Sequence, residues 1–340
     1  MTTQVFDTFK RSAIGLPFRV AYRRWVSNHS VKDLTLVRVR PQADPSDVVC
    51  MAVVLNEMMR LLDFLRHYRA LGVGRFIFID NGSTDRSVEF LLDQADVDLV
   101  STQASYSASD AGIFWGMGLT RHLGLKGWIV RVDADEHLIY DGFEDHDLHD
   151  LIGLLEARGR RSLPVMMLDM YPEGPIRDAL PMAEDRLVDI CPLFDGVGYG
   201  MKATQDRSAV RRITSYMGGP RARLFSTGEA LFRCELAKTP LVRWDSGVTQ
   251  MHAHGVHPYA LNFGLPTGSL LHFKLLHDFH DRAKEAVALG NHYNNSSEYR
   301  RYLARVDAEP DMSAAFEGSR RYVNSRSVVD AGLMASIDWR

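Results

Sequence analysis

Trp128-Ile129-Val130-Arg131-Val132-Asp133-Ala134-Asp135-Glu136 is an apolar run that drives into three carboxylates spaced i, i+2 and i+3. Valine, isoleucine and tryptophan favour pleated strands. The acids therefore fall at the end of a buried strand, where an open α/β sheet holds its ligands. Two carboxylates one residue apart at such an end can both reach a divalent cation, which keeps several waters and completes its shell from substrate phosphates. The stretch predicts a site for a metal-bound diphosphate. The competing reading is a solvated turn or a helix cap, and this stretch alone does not separate the two.

Working outward, the same pattern recurs twice upstream. Arg75-Phe76-Ile77-Phe78-Ile79-Asp80-Asn81-Gly82-Ser83-Thr84-Asp85 is an apolar strand that ends in a polar turn, with Asn81-Gly82 for the tight bend. Ser83, Thr84 or Asp85 can cap the helix that begins near Arg86. Val48 to Leu55 is a continuous apolar strand followed by Asn56-Glu57. Helical spacing over 58–71, ended by Gly72, and over 111–123, ended by Gly124, places helices between these strands. Strands at 98–101 and 163–168 and helices at 87–94 and 148–158 continue the alternation. Repeated β-α units with short links imply a mostly parallel sheet with right-handed crossovers.

The periodicity weakens from about 172 to 270, where proline, glycine and arginine cluster, and helix is expected again from Leu271 to Arg305, with Ser297 capping its last segment. The sequence thus divides into a basic amphipathic segment (1–45), a regular α/β half (46–170), an irregular half (171–310) and a weakly organised tail (311–340). Residues 1–40 carry Lys10, Arg11, Arg19, Arg23, Arg24, Lys32, Arg38 and Arg40 against Asp7 and Asp33, with Phe6, Phe9, Phe18, Tyr22 and Trp25 interleaved. Such a segment can lie on an anionic membrane surface or hold a lipid-linked acceptor. The plainer alternative is a helix packed on its own domain.

The 340 residues, 46% hydrophobic and 24% charged, are ordinary for a globular chain. The net charge of −3 gives no sign of nucleic acid, and no such partner is expected. Cys50, Cys191 and Cys234 form no framework, which favours a reducing compartment. No apolar run reaches the length of a membrane span, and the start lacks the apolar core of a signal peptide. The expected place is the cytoplasm, with the inner face of the membrane open to residues 1–40.

Val54-Leu55-Asn56-Glu57, Ile79 through Asp85, and Asp133-Ala134-Asp135-Glu136, in this order and spacing, resemble the family-2-type glycosyltransferases of the GT-A fold. The closer likeness is to a bacterial subgroup whose motifs read Asp-Asn-Gly-Ser-Thr-Asp and Asp-x-Asp-Glu. Gly218 to Phe225, Leu271 to Lys274 and the region after Ser297 resemble it as well, so the likeness extends over most of the chain. It implies a nucleotide-diphosphate-sugar donor held by a nucleotide-sugar-binding half (46–170), a glycan or lipid-linked acceptor in bacterial surface polysaccharide synthesis met by an acceptor-side half (171–310), and Mn²⁺ or Mg²⁺ as cofactor. Asn56, Glu57, Asn81, Ser83 and Asp85 would line the nucleotide pocket, Asp80 would read the base edge, and Asp133 and Asp135 would bind the metal. A late histidine, His272, would complete the metal shell, and Lys274 would hold the diphosphate.

An inverting transferase also needs a carboxylate base near the acceptor hydroxyl. The family's Glu-Asp pair is absent here. Of Glu229, Glu235 and Asp245 in the corresponding region, Asp245 is the candidate, with Asp169 at a strand end the alternative. Arg221 and Arg223 flank a Gly-Gly-Pro turn and suit phosphate or a charged acceptor as well as a salt bridge. His252, His254 and His257 are spaced like metal ligands but show no clear fourth partner for zinc. The other readings are a sugar or nucleotide binder without catalysis, a sugar nucleotidyltransferase lacking its Gly-rich signature, and a zinc hydrolase built on the three histidines.

Overall fold

The computed structural model describes residues 15–40, 47–182, 184–205, 212–226, 235–290 and 293–340. Phe6, Asp7, Phe9, Lys10, Arg11, Glu229 and Cys234 lie outside them. The chain is α/β, built on a nine-stranded sheet flanked by helices on both faces. The strands are β1 (Thr35–Arg38), β2 (Val48–Val54), β3 (Val73–Asp80), β4 (Val97–Ser101), β5 (Gly127–Arg131), β6 (Glu136–Ile139), β7 (Ser162–Asp169), β11 (Ala237–Trp244) and β14 (Gly268–His272), ordered β1-β4-β3-β2-β5-β11-β7-β14-β6. Six of the nine run one way; β1, β11 and β6 run against them.

Period-two alternation sorts the core. Val48, Cys50, Ala52, Val54, Phe76 and Phe78 face α2 (Met58–Ala70), α3 (Ser87–Leu92) and α5 (Leu148–Ala157). Val49, Met51, Ile77 and Ile79 face Trp115 and Leu119 of α4 (Ile113–His122). The chain runs β2, β3, β4 to one side and then returns to place β5 on the other side of β2. The carboxyl ends of β2 and β5 therefore flank the point where strand order reverses, the usual ligand crevice of an open α/β sheet.

The C-terminal half departs from expectation. Residues 171–310 supply β11 and β14, which are inner strands of the same sheet. Leu271 and His272 belong to β14, not to a helix, and helix resumes at α8 (Phe279–Leu289) and α9 (Tyr293–Ala308), inside which Ser297 falls. Smaller pieces pack around this frame: α6 (Leu187–Ile190), β8 (Leu193–Asp195), the β9–β10 pair (Gly200–Gln205, Arg212–Met217), α7 (Gly219–Phe225) and the β12–β13 pair (Thr249–His252, Gly255–His257). Residues 311–340 are organised, contrary to the sequence reading. β15 (Ser319–Arg321) pairs with β8, α10 (Ser325–Asp330) has a capping box, and Trp339 stacks on His146 with ring centroids 4.0 Å apart.

The N-terminal helix α1 (Gly15–Ser30) packs on α4, as the plainer reading held. Its charges turn inward: Arg23 bonds Asp110 and the Gln250 carbonyl, and Arg24 bonds Thr249. Farther along, Arg38 bonds the carbonyls of Leu91, Gln94 and Val97, and Arg40 bonds Asp98. Phe18, Tyr22 and Trp25 are left 66, 62 and 59% exposed. Among the described residues no helix is long and apolar enough to cross a membrane.

Candidate active site

The first two strand ends are laced together. Asn56 adopts a left-handed backbone (φ 54°), which asparagine tolerates. Its Oδ1 accepts from the amides of Thr84 (2.8 Å) and Asp85 (3.3 Å), and its own amide donates to Ser83 Oγ at 2.9 Å. Asp85 accepts from the amides of Ser87 and Met58, tying the starts of α3 and α2. Asn81 donates to the carbonyls of Thr102 and Ala104. Asp80, the expected reader of a base edge, is buried, and its carboxylate accepts from the amides of Gly82 (3.1 Å) and Ser83 (3.2 Å). Here it shapes the turn. Glu57 is held by Arg282 (2.8 Å), beside the buried Arg60–Asp278 pair.

The second half of the site follows from strand register. β14 lies parallel to β7 with His272 opposite Asp169, and antiparallel to β6 with His272 opposite Glu136. Asp135 is thereby brought to His272, whose Nε2 lies 3.3 Å from the Asp135 carboxylate. On the ring's other side Nδ1 lies 2.6 Å from Asp169, and Asp169 accepts from Arg221 Nε at 2.8 and 2.9 Å. Burial opposes a charge on His272, yet Asp135 and Asp169 overcome it and push the imidazole up to about 9. Burial likewise opposes ionisation of Asp135, but His272, then Arg60 and Arg282, hold it well below the usual carboxylate range.

Asp133 stands apart from Asp135. Its side chain is 61% exposed, and one oxygen lies 3.3 Å from Lys238 Nζ. Lys274 donates to Tyr299 Oη (3.4 Å), with its ammonium 4.9 Å from the same ring's centroid. Among the described residues, no three His, Cys, Asp or Glu side chains are gathered closely enough to cage a metal by themselves. The donor types still suit Mn²⁺ or Mg²⁺, since such an ion needs only one or two carboxylates beside phosphates and water, and Mn²⁺ accepts imidazole.

The two candidate bases, Asp245 and Asp169, lie in different parts of the sheet. Asp245 follows Trp244, which is paired with Gly127 at the start of β5. It lies roughly 20 Å from Asp133 by strand rise and bonds Arg161. Asp169 is at the site but fully buried, and its ionised form is held by Arg221 and His272 against the pull of burial. It is not poised to take a proton. The three histidines do not converge: His254 Nδ1 bonds the Ala237 carbonyl at 3.0 Å, and no zinc cluster forms among the described residues. Arg221 and Arg223 are the salt-bridge case, Arg221 on Asp169 and Arg223 on Asp195.

Sequence reasoning missed Lys238 and Tyr106. Lys238 is a buried cation in strand β11, whose other cation, Arg243, is exposed, and a lysine next to an apolar run was its only signal. Tyr106, in the loop after β4, is held in its protonated form by burial and by the charges of Asp133, Asp135 and Glu136. A shallow depression lined by Asp47, Trp128, His149, Glu156 and Arg243 lies at the opposite ends of β2 and β5 and holds none of the expected site residues.

No protein-family model matches the sequence, and no curated protein matches it. Among solved structures the chain is similar to a mycobacterial protein at 18% identity (TM-score 0.23), with 41% of this chain and 50% of that one covered. It thus spans about half that protein's length. It is also similar to a UDP-glucose pyrophosphorylase in its apo form at 8% identity (TM-score 0.29; 67% and 90% covered). A UDP-glucose pyrophosphorylase complexed with UDP-glucose gives 9% identity (TM-score 0.22; 46% and 63%). Likenesses this shallow carry no part of the reading below.

Proposed function

We propose that the chain is a metal-assisted glycosyltransferase of the GT-A type, similar to the family-2-type enzymes, that moves a sugar from a nucleotide-diphosphate donor to a hydroxyl acceptor. One observation carries this reading. Asn56-Glu57 and Asp133-Ala134-Asp135 sit at the carboxyl ends of β2 and β5, on either side of the strand-order reversal, and β14 delivers His272 and Lys274 to the same edge.

In this reading Asp135 and His272 hold Mn²⁺ or Mg²⁺, with the exposed oxygen of Asp133 available to it. A bound cation of this kind neutralises charge on the departing diphosphate. Lys274 adds a fixed positive charge for the phosphates, oriented by Tyr299 and Glu298. The Asn56–Asp85 lacing makes a rigid wall for the nucleotide, which lowers the ordering cost on binding. The acceptor is a glycan or lipid-linked sugar.

The test is release of nucleoside diphosphate from donor sugars by the purified chain with Mn²⁺. Wild type should release it. Asp135→Asn should lose more than about 100-fold, since even outer-shell losses cost about 10–100-fold. Equal rates in the two proteins would end the metal assignment. A second reading, donor binding without transfer, draws on the unsuitability of both Asp169 and Asp245 as bases. It predicts donor binding with no release.

A further inference from the structure

We propose that Asp169 is the positioning carboxylate of His272, and that Arg221 locks Asp169 in that role. The inference rests on His272 serving as a metal ligand. The parallel register of β7 and β14 sets the two residues opposite each other, and the Nδ1–Asp169 distance is 2.6 Å. A neutral imidazole carries one N–H. When a cation takes Nε2 in place of its proton, the carboxylate at Nδ1 keeps the remaining N–H there and holds Nε2 on the side of Asp135, 3.3 Å away. The ring is thereby given both the tautomer and the orientation a cation requires.

Asp169 in turn cannot swing away. It is buried, accepts from Arg221 Nε through both oxygens, and Arg221 is also buried, with Glu298 3.6 Å from its Nη1. Rotation of the carboxylate would break both of its contacts to a buried guanidinium, which is costly. Arg221 owes its place to α7, where Gly218 has φ 124° and Pro220 sits in the first turn. The Gly-Gly-Pro-Arg stretch thus reaches the candidate metal site through one carboxylate and one imidazole, without touching the metal itself.

The experiment measures Mn²⁺ affinity by electron paramagnetic resonance of the free ion, without donor, for wild type, His272→Ala, Asp169→Ala and Asp169→Asn. His272→Ala and Asp169→Ala should both weaken binding, the latter by about 10–100-fold. Asp169→Asn should fall between, because an amide oxygen still accepts from Nδ1 but loses Arg221. Loss in His272→Ala with none in Asp169→Ala overturns this inference and leaves the metal reading standing. No loss in His272→Ala overturns both. If Asp169→Ala fails to fold by circular dichroism, the imidazole ¹⁵N resonances of His272 in Mg²⁺-loaded wild type decide. Protonated Nδ1 with unprotonated Nε2 supports the inference, and the opposite tautomer overturns it.

Discussion

The ammonium of Lys238 lies 2.6 and 2.7 Å from the two carboxylate oxygens of Glu136, in the interior of the sheet. Burial disfavours the charge on Lys238, but Asp133 and Glu136 outweigh it and keep the ammonium protonated. The third acid of the Asp-Ala-Asp-Glu motif is therefore an anchor. It also accepts from the Asp133 amide at 2.9 Å, so it fixes the backbone that presents the other two.

Lys238→Met should cost about 3–5 kcal/mol of stability, because it leaves a buried carboxylate without its cation. The double variant Lys238→Met/Glu136→Leu should recover much of that loss. Urea unfolding of the three proteins measures both terms, and a single variant as stable as wild type would contradict the buried pair.

Asp245→Asn should leave donor turnover within about 2-fold of wild type and stability within about 0.5 kcal/mol, as expected for a surface position. The residue pairs with Arg161 at the far end of β11. A loss of turnover above 10-fold with unchanged melting would place the base there after all.

Gly118 of α4 lies where a methyl group would run into the backbone carbonyl of Ser27 and the side chain of Val31. Gly118→Ala should cost about 1–3 kcal/mol through overpacking and raise amide exchange across α1. Unchanged exchange there would contradict a helix docked on α4.

His67 is half-buried and stacked on His137, with ring centroids 4.5 Å apart, and its Nε2 lies 2.8 Å from the Leu138 carbonyl. Burial, then the neighbouring His137, push its pKa down to about 3. The unfolded chain titrates near 6.5, so below that pH it binds a proton that the native state refuses. Stability from this group is full above about pH 6.5 and falls as pH drops toward 3, with a slope approaching about 1.4 kcal/mol per pH unit. His67→Gln should flatten the dependence between pH 6 and 4.5 by about that amount. Parallel curves for the two proteins would contradict a neutral His67.

The strands that carry the site were legible where apolar runs were continuous, as in Val48–Val54 and Val73–Asp80. β11 was not, because Pro240 interrupts it and Lys238 and Arg243 break its pattern. The register against β7 shifts between Lys238 and Leu241, the irregularity that lets a proline sit in an inner strand. β14 is five residues long and opens with Gly268-Ser269, too short for a period to declare itself. The fate of Asp169 was hidden for another reason. Its partners Arg221 and His272 lie 52 and 103 residues away in sequence, and only the sheet order brings them together. Likewise, the basic character of residues 15–40 marked inward ion pairs and carbonyl contacts.

The central claim, a metal-dependent nucleotide-sugar site at the carboxyl ends of β2 and β5, is tested most directly by thermal unfolding against UDP-, GDP-, dTDP- and CMP-sugars with and without Mn²⁺. A ligand at 100-fold its dissociation constant adds about 2.7 kcal/mol. The account predicts a Mn²⁺-dependent rise in melting temperature with one nucleotide class, and none with Asp135→Asn. No rise with any sugar nucleotide in the wild-type chain would contradict it.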